Sequence, residues 1–451
     1  MKTIARGSCK TAVLQKIDDF DAGSQGQQAG PCCATETMPE WAGEIARREL
    51  APKGRFYGAH EFCNCLAKLV TFLTVLLAAM TVSATAPPVP QATDFSQKSK
   101  PATMKVLLHR QVPDVLLEAK GRYEIYYPLD ETKISSGINS NRHKISVGEY
   151  GLKWGEDFKG LHQLRFVPVD SQSSLLVNGI QYRGCIEVWS NDGKLNIINE
   201  VGVEPYLKAT LSSLFPQPLH DEVMNAVAII ARTNAYFTAA RNKQSAWHVT
   251  ASEVGYQGAS ILPKKHIDRA VDSTYHLILT FNDAPFAAMW TQNSAGKTVD
   301  FAAVFRKAMT TPPGVTTPIA AKDRAQSKWT CALPKSMLAQ ATHLSEVTGV
   351  DLYVTPQAEK VYAIKVTSDA QVKDFDFSTF QKIVGAQKLR SNDFTVETHG
   401  DELVFTGYGE GSGVGLCLYS AKAQAEKGEK APQILEAFFP QTKLEKVKSL
   451  N

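Results

Sequence analysis

One stretch of the chain, residues 221–236, constrains the fold more than any other. It is rich in alanine, contains no glycine or proline, and begins with two acidic residues that suit the positive end of a helix dipole. Apolar residues recur at the spacing of one helix face, and Ala228 and Ile229 make the opposite face apolar as well. A helix that is apolar nearly all round belongs inside a sizeable core, so this stretch predicts a buried helix.

Arg232 is unusual in such a helix, because a buried guanidinium needs partners for its hydrogen-bond donors. Two interpretations stay open. In the first, Arg232 pairs with a buried carboxylate or with backbone carbonyls. In the second, it lies at the floor of a cleft, where it binds a substrate or orients a catalytic group.

The chain before this helix favours β-strands. Residues 105–108 and 121–127 are strand-like, and residues 175–189 alternate between apolar and polar. The turn at 190–193 ends in glycine and leads into a second alternating run at 194–199, which predicts a hairpin. The fold class is therefore predicted to be α+β, with antiparallel β-sheets packed around the buried helix.

The composition is that of a globular protein. Of 451 residues, 43% are hydrophobic and 21% are charged, which excludes wholesale disorder. The net charge of +4 is too small to indicate nucleic-acid binding, although it suits contact with an anionic cell wall. Cys185, Cys331 and Cys417 are widely spaced in the body of the chain, so at most one pair could form a disulfide.

Residues 66–86 have the pattern of an export signal. The run at 69–82 contains no charge, follows several basic residues, and is shorter than the ~20 residues of a membrane span. Ala84 and Ala86 then form a small-residue cleavage pattern. We interpret the segment as a signal peptide or as an uncleaved signal anchor.

The signal divides the chain into a leader, a linker and a domain. Residues 1–65 lack sustained periodicity and are predicted to be a disordered leader, whereas residues 87–103 are a solvated linker. Residues 104–448 then form the functional domain. We expect this domain in the periplasm or at the outer face of the cytoplasmic membrane.

Residues 222–235 resemble the hallmark helix E-A-L-K-A-Q-A-V-A-A-R-T-Y-A of the SpoIID/LytB family, the sporulation stage II D proteins and amidase enhancers. Further blocks match in chain order, so the resemblance covers about residues 105–447. The resemblance implies an α+β fold with a cleft formed by glycine-bearing loops. It also implies action on peptidoglycan, as a lytic transglycosylase or as the enhancer of an amidase.

The resemblance fails at the position that carries the family's chemistry. In the catalytic branch the segment before the helix reads roughly V-V-P-S-E-M-P, and its glutamate is taken as the catalytic acid. Here residues 210–216 read T-L-S-S-L-F-P, with Leu214 at the glutamate position. Leucine cannot transfer a proton.

A first glycine-bearing stretch, N-S-A-G-K-T, begins at Asn293 and resembles the family's S-G-G-K-T. It is not a phosphate loop, because Thr291 stands where that motif needs its first glycine. We expect Gly296 to allow a tight turn, and we predict that Gly296 binds substrate in the cleft together with Asn293, Ser294 and Thr298.

A second stretch, residues 407–416, carries glycine at alternate positions and resembles the family's G-x-G-W-G-H-G-V-G-M. Such glycines let the backbone approach a neighbour closely and leave amides free to face a ligand. The predicted substrate-binding residues of this loop are Gly409, Gly411, Ser412 and Gly413. Glu410 is the candidate for a replacement catalytic carboxyl, or else a solvated loop charge.

Tyr256 keeps the tyrosine of the family's Q-x-Y-x-G and is predicted to bind substrate, whereas the glutamine has become Val254. Some relatives carry a metal-binding Cys/His pair just before this point. Here the polar residues are His248, Ser252 and Glu253, so we infer no metal and no cofactor.

Three functions stay open. The first is a non-catalytic exported protein that binds peptidoglycan glycan strands and assists wall remodelling, with an N-acetylmuramoyl-L-alanine amidase as a possible partner. The second is a lytic transglycosylase that uses Glu410 or, failing that, Glu253 or Glu204. The third is an envelope scaffold that binds protein partners only. None involves nucleic acid, and membrane contact would come only through an uncleaved anchor.

Overall fold

The computed structural model of the chain describes residues 102–260 and 264–447, and the structural statements below concern these two ranges. The predicted leader (1–65), the predicted signal (66–86) and all but the last two residues of the predicted linker (87–103) lie outside them.

Helices and strands occur in separate blocks with mostly antiparallel pairing, which confirms the predicted α+β class. The strands are β1 (Thr103–Val112), β2 (Asp114–Lys120), β3 (Tyr123–Tyr126), β4 (Lys133–Gly137), β5 (Asn141–Gly148), β6 (Gly151–Trp154), β7 (Glu156–Lys159), β8 (Gln163–Pro168), β9 (Ser174–Val177), β10 (Ile180–Tyr182), β11 (Cys185–Asn191), β12 (Lys194–Gly202), β13 (Val249–Thr250), β14 (Leu277–Thr280), β15 (Trp290–Thr291), β16 (Lys328–Pro334), β17 (Gly349–Val354), β18 (Val361–Thr367), β19 (Val372–Asp376), β20 (Phe394–His399), β21 (Glu402–Tyr408), β22 (Leu416–Cys417) and β23 (Lys443–Lys446). The helices are α1 (Val203–Leu214), α2 (Asp221–Arg241), α3 (Lys265–Ser273), α4 (Phe301–Phe305), α5 (Pro318–Lys322), α6 (Lys335–Thr342), α7 (Phe377–Val384), α8 (Leu418–Glu426) and α9 (Ala431–Phe438).

The first thirteen strands build two sheets, with strand orders β13-β1-β12-β11-β8-β3-β4 and β10-β9-β2-β5-β6-β7. Trp154 on β6 joins them. Its ring packs edge-on against Tyr123 on β3 at 5.5 Å and Phe166 on β8 at 5.0 Å between centroids. Its indole N–H donates to the Leu117 carbonyl at 3.0 Å, so this large buried side chain leaves no polar group unpaired.

The alternating run at 175–189 is not one strand but three, because Asn178 and Gly179 form a turn between β9 and β10. Their φ angles of 50° and 83° are those that asparagine and glycine adopt most readily, so the Asn-Gly pair was a turn signal within the run. The predicted hairpin itself is confirmed: β11 pairs with β12 around Asp192 and Gly193.

Helix α2 is 21 residues long and extends five residues beyond the predicted end, Tyr236. At its start the His220 side chain accepts a hydrogen bond from the Glu222 N–H, and Asp221 and Glu222 provide the acidic first turn. The helix joins β14 because the Thr233 hydroxyl accepts the Leu279 N–H at 2.9 Å.

Residues 328–408 form an inserted lobe with its own hydrophobic core. The lobe contains the sheets β16-β21-β20 and β17-β18-β19 with α6 and α7. Lys328 and Tyr408, where the chain enters and leaves the lobe, are paired across β16 and β21. Helix α6 ends at Thr342, since His343 adopts a left-handed φ of 55°.

Cys185, Cys331 and Cys417 are all buried free thiols. No helix within the described ranges is long and apolar enough to cross a membrane.

Candidate functional site

An open polar pocket of ≈ 260 Å³ lies where the inserted lobe joins the body. Three residues singled out from the sequence, Asn293, Gly409 and Glu410, meet there. The remaining lining residues are Asp323, Gln326, Ser327, Arg390 and Tyr419. The pocket is therefore formed by the segment after β15, the turn before the lobe, the lobe itself, the glycine loop and the start of α8.

The glycine loop, residues 407–416, is held against the chain that follows β15. The Asn293 N–H donates to the Glu410 carbonyl at 3.0 Å, and the Glu410 N–H donates to the Asn293 carbonyl at 2.9 Å. Gly409 has φ 79°, and a Cβ at this position would lie 2.4 Å from the Asn293 carbonyl oxygen. Only glycine allows this approach.

The other face of the glycine loop packs against the segment that follows α7. The Gly411 N–H donates to the Arg390 carbonyl at 2.9 Å, and the Gly413 N–H donates to the Thr291 hydroxyl at 3.2 Å. A Cβ at Gly413 would lie 3.1 Å from Asn392 Oδ1. The N–H groups of Gly409, Glu410, Gly411 and Gly413 are thus bonded within the fold rather than left for a ligand.

Two acid groups face the pocket, each with its own donor. Glu410 pairs with Arg390, and both side chains are about half exposed, at 48% and 45%. The Tyr419 hydroxyl donates to Asp323 Oδ2 at 2.9 Å, and this hydrogen bond raises the pKa of Tyr419. Tyr419 itself is 39% exposed.

An ionic network behind the pocket joins the buried Lys360 to Asp393, which is 14% exposed, and to Arg324, which is 40% exposed. Asp393 receives two hydrogen bonds from Arg324, at 2.7 and 2.9 Å, and one from Lys360 Nζ at 2.8 Å. Lys360 is only 2% exposed and also donates to the Ser294 carbonyl at 2.8 Å. Burial alone would raise the pKa of Asp393, but the bonds from Arg324 and Lys360 outweigh it and lower the pKa.

This network is adjacent in sequence to most of the pocket lining. Ser294 follows Asn293, and Arg324 follows Asp323. The Arg324 guanidinium also donates to the Ala295 carbonyl at 2.8 Å. The network therefore holds the segments that form the pocket walls.

Three predicted ligand residues of the 293–298 stretch are internal. The Ser294 hydroxyl bonds the Thr317 hydroxyl at 2.7 Å, and the Thr298 hydroxyl receives the Val315 N–H at 2.8 Å. A Cβ at Gly296 would lie 3.1 Å from the Ala321 Cβ. These residues fix the loop beneath Asn293 and are buried. Ser412 is buried too, and its hydroxyl has no hydrogen-bond partner within the described ranges.

Arg232 lies in the core, away from solvent, and all five of its N–H donors are occupied. Nε and Nη2 bond the two carboxylate oxygens of Glu204, each at 2.8 Å. The remaining donors reach the Val271 and Leu277 carbonyls at 3.1 Å and the Thr274 hydroxyl at 3.3 Å. Of the two interpretations of Arg232, this geometry favours the structural one and leaves no donor for a substrate.

Tyr256 is buried as well. Its hydroxyl donates to Asn199 Oδ1 at 2.7 Å, and its ring stacks on Tyr206 at 5.9 Å. Burial raises the pKa of Tyr256 well above its usual range. This side chain therefore joins α1 to the hairpin β11–β12 and presents no surface to a ligand.

Leu214 is the last residue of α1 rather than part of a loop. It is half-buried and packs against the main core, and it does not line the pocket. The next residue, Phe215, lies 5.7 Å from the Trp290 ring, just before the pocket residue Asn293 in the chain.

Sequence reasoning missed five of the pocket residues. Arg390 and Tyr419 fall in blocks that resemble the family, so those blocks could have indicated them. Asp323, Gln326 and Ser327 carry no pattern, because they line the pocket only through the turn that precedes the lobe.

Comparison with known proteins shows which family part of this chain resembles. Residues 191–281 match the model of the SpoIID family, described as stage II sporulation protein. This part of the chain resembles the SpoIID family, as the sequence predicted. The matched segment contains α1, α2 and Tyr256, whereas Asn293 and the glycine loop lie beyond it.

The individual relatives are distant. An uncharacterized protein of Chlamydia pneumoniae is 37% identical over 39% of this chain and 65% of its own length. An uncharacterized protein of Brachyspira hyodysenteriae is 24% identical over 72% of this chain and 87% of its own length. Stage II sporulation protein D of Bacillus subtilis is 26% identical over 55% of this chain and 75% of its own length. The match thus spans less than two thirds of the Chlamydia protein.

Proposed function

We propose that this protein, which resembles the SpoIID family, is an exported, non-catalytic peptidoglycan-binding protein that assists cell-wall remodelling. The resemblance supports a function related to the cell wall or to sporulation. Binding to glycan strands, export and an amidase as partner go beyond that and belong to the proposal.

The observation that carries the proposal is the state of the carboxyl groups. A lytic transglycosylase needs a carboxyl that an apolar site keeps protonated, so that it can protonate the glycosidic oxygen. The family's position for this group holds Leu214, which packs on the core. Glu410 is open to solvent and paired with Arg390, an environment that suits a carboxylate.

The pocket nevertheless has the character of a carbohydrate-binding surface. It is open and is lined by amide, hydroxyl, carboxylate and guanidinium side chains with one exposed aromatic ring. Convergent polar groups of this kind give a site its specificity. Binding without cleavage is the function that these residues support best.

Catalysis by Glu410 is the second candidate, because Glu410 lies in the pocket. It would require a ligand that displaces Arg390 and excludes water, so that the carboxyl could hold a proton. A scaffold that binds proteins only is the third candidate.

Two assays on purified domain separate these functions. In a pull-down with purified sacculi, we expect retention of the wild-type domain; no retention would favour the scaffold. In a digestion of peptide-free glycan strands, we expect no release of anhydromuropeptides. Release by the wild type that disappears in Glu410→Gln would overturn the non-catalytic proposal.

The variant Leu214→Glu tests whether the family's catalytic glutamate is the one group that this protein lacks for glycan cleavage. If the end of α1 keeps the family's geometry, this variant would release anhydromuropeptides while wild type does not. A parallel assay adds an N-acetylmuramoyl-L-alanine amidase to sacculi with and without the domain. We expect faster release of stem peptides when the domain is present, and an unchanged rate would remove the amidase from the proposal.

A further inference from the structure

A row of aromatic and basic side chains lies where the end of α4 meets the inserted lobe. The rings of Tyr353 on β17 and Tyr362 on β18 stack at 6.0 Å between centroids, with an interplanar angle of 27°. The guanidinium carbon of Arg306 lies over the Tyr362 ring, 4.8 Å from its centroid. The row Arg306–Tyr362–Tyr353 therefore joins the segment after α4 to two strands of the lobe.

The backbone presents Arg306 to solvent. Arg306 directly follows α4 and has a left-handed φ of 51°, a conformation that glycine and asparagine adopt more readily than arginine. Its side chain is exposed, and no residue within the described ranges forms an ion pair with it. The contact with Tyr362 holds the guanidinium in place, and its planar set of N–H donors suits a carboxylate.

Two more basic residues add positive charge to this row. Lys307 follows Arg306, and burial together with the nearby Arg241 lowers the pKa of Lys307. The carboxylate of Asp376 opposes this shift, but its two oxygens already accept hydrogen bonds from the N–H and the hydroxyl of Thr379. The three cations outnumber this carboxylate, so the surface favours an anionic ligand.

The composition of the row is that of the centre of a protein interface. Tyrosine and arginine are enriched among the residues that carry most of the binding energy there, whereas lysine is depleted. Tyr353 is 37% and Val354 is 45% exposed, so both can be covered by an apolar side chain of a partner. A surface for anionic lipids typically carries a cluster of roughly four to eight lysines and arginines. The row has fewer, which favours a protein partner.

We infer that Arg306, Tyr362 and Tyr353 form a docking surface for an acidic segment of a partner protein. A carboxylate of the segment pairs with the Arg306 guanidinium, and a neighbouring apolar side chain covers the Tyr353 ring. None of the three residues lines the polar pocket, so this surface is separate from the proposed glycan-binding site and does not depend on it.

Fluorescence polarisation of labelled peptides with the full-length protein tests the inference. The three probes are decapeptides of alternating Glu-Tyr, Gln-Tyr and Glu-Ser. We expect wild type to bind the Glu-Tyr peptide several-fold more tightly than either of the others. The preference over Gln-Tyr should shrink in high salt, which screens exposed charges. Equal binding of the Glu-Tyr and Gln-Tyr peptides would overturn the inference.

The variants separate the guanidinium from the aromatic ring. Arg306→Gln changes an exposed side chain and is expected to weaken binding of the Glu-Tyr peptide about tenfold, as truncation of a central interface arginine does. Tyr353→Ser should weaken the Glu-Tyr peptide several-fold and leave the Glu-Ser peptide unchanged. Wild-type affinity for the Glu-Tyr peptide in either variant would remove that residue from the surface and overturn the inference.

Arg142→Gln is the matched control, because it removes the same charge from β5, where the Arg142 side chain is 62% exposed. It should leave the affinity for the Glu-Tyr peptide unchanged. An equal loss in Arg142→Gln and Arg306→Gln would show that the peptide responds to net charge alone, and the docking surface would then be wrong.

Two further measurements distinguish this surface from other kinds of contact. Phosphatidylglycerol vesicles that bind as tightly as the Glu-Tyr peptide, with the same loss in Arg306→Gln, would assign the row to lipid and overturn the inference. Sacculus retention should stay at the wild-type level in Arg306→Gln, and its loss at an unchanged melting temperature would place Arg306 in wall binding instead. A wild type that binds the Glu-Tyr peptide but is not retained by sacculi would fail the proposed function and leave this inference standing.

Discussion

Two arginine–glutamate pairs occupy opposite kinds of environment in this protein. Arg232 and Glu204 lie in the main core, where the arginine is 0% and the glutamate 14% exposed. Arg390 and Glu410 lie at the pocket, where each is about half exposed. The same two residue types therefore make one pair that is almost entirely buried and one that a ligand can reach.

The two pairs differ in whether the polar groups that lose a partner, when the pair is broken, can find a replacement. Arg232 has five donors, all bonded to protein oxygens, and water cannot replace those partners. Arg390 can exchange Glu410 for water or for a ligand at little cost. The first pair specifies the fold, and the second is available for function.

The largest effect is expected for Arg232→Ala. Removal of the guanidinium leaves Glu204 and the Val271 and Leu277 carbonyls without their partner. The free energy of unfolding, from urea denaturation, should fall by on the order of 3–5 kcal/mol.

The control for this variant is Arg269→Ala, which breaks an exposed pair with Asp221, a helix α2 residue. It should change the free energy of unfolding by less than about 1 kcal/mol. Equal losses in the two variants would show that burial does not separate the two kinds of pair.

A second, smaller loss is expected for Lys360→Met. The ammonium is buried, but Asp393 keeps its two bonds from Arg324, so mainly the Ser294 carbonyl loses a donor. The free energy of unfolding should fall by about 1–3 kcal/mol. The matched control is Lys365→Met on β18, the strand that begins directly after Lys360, and its pair with Asp351 is more exposed.

Lys360→Met also tests whether the ionic network of Lys360, Asp393 and Arg324 holds the pocket residues in place. Displacement of Ser294 should shift Asn293, so sacculus retention should weaken in Lys360→Met and not in Lys365→Met. Full retention by a destabilised Lys360→Met would assign the network to folding alone.

A pH-dependent effect is expected at His248. Its Nδ1 accepts the Lys105 N–H at 3.2 Å, and burial together with the nearby Lys105 lowers its pKa from 6.5 to about 4. The unfolded chain therefore binds a proton between these values when the folded chain does not. Stability from this group is present above pH 6.5 and is lost as pH falls towards about 4.

His248→Asn keeps an acceptor but does not titrate, so its free energy of unfolding should fall less than that of wild type between pH 7 and pH 4.5. Parallel curves for the two proteins would mean that His248 does not contribute to acid sensitivity.

The sequence predicts the core of the molecule better than its pocket. The buried helix α2 and the hairpin β11–β12 follow from apolar periodicity and a turn, which are local properties. The sequence also indicates that a buried Arg232 needs hydrogen-bond partners, but it does not identify Glu204 as the partner. Asp323 and Tyr419 are 96 positions apart and meet only through the fold. The family-like block around Tyr419 could have indicated that residue, but no local pattern indicates Asp323.

The smallest effect on stability is expected at Arg390 and Glu410. This effect tests the comparison between the two arginine–glutamate pairs. We expect Glu410→Gln, Arg390→Gln and the double variant each to change the free energy of unfolding by less than about 1 kcal/mol, because solvent replaces the lost partner. The coupling energy from the double-mutant cycle should also lie below about 1 kcal/mol and should decrease in high salt. Sacculus retention, in contrast, should weaken in the single variants, since both side chains line the pocket. A coupling of 3 kcal/mol or more, the range expected for the buried Arg232 pair, would make the pocket pair a structural element. The division between a pair that specifies the fold and a pair that is available to a ligand would then be wrong.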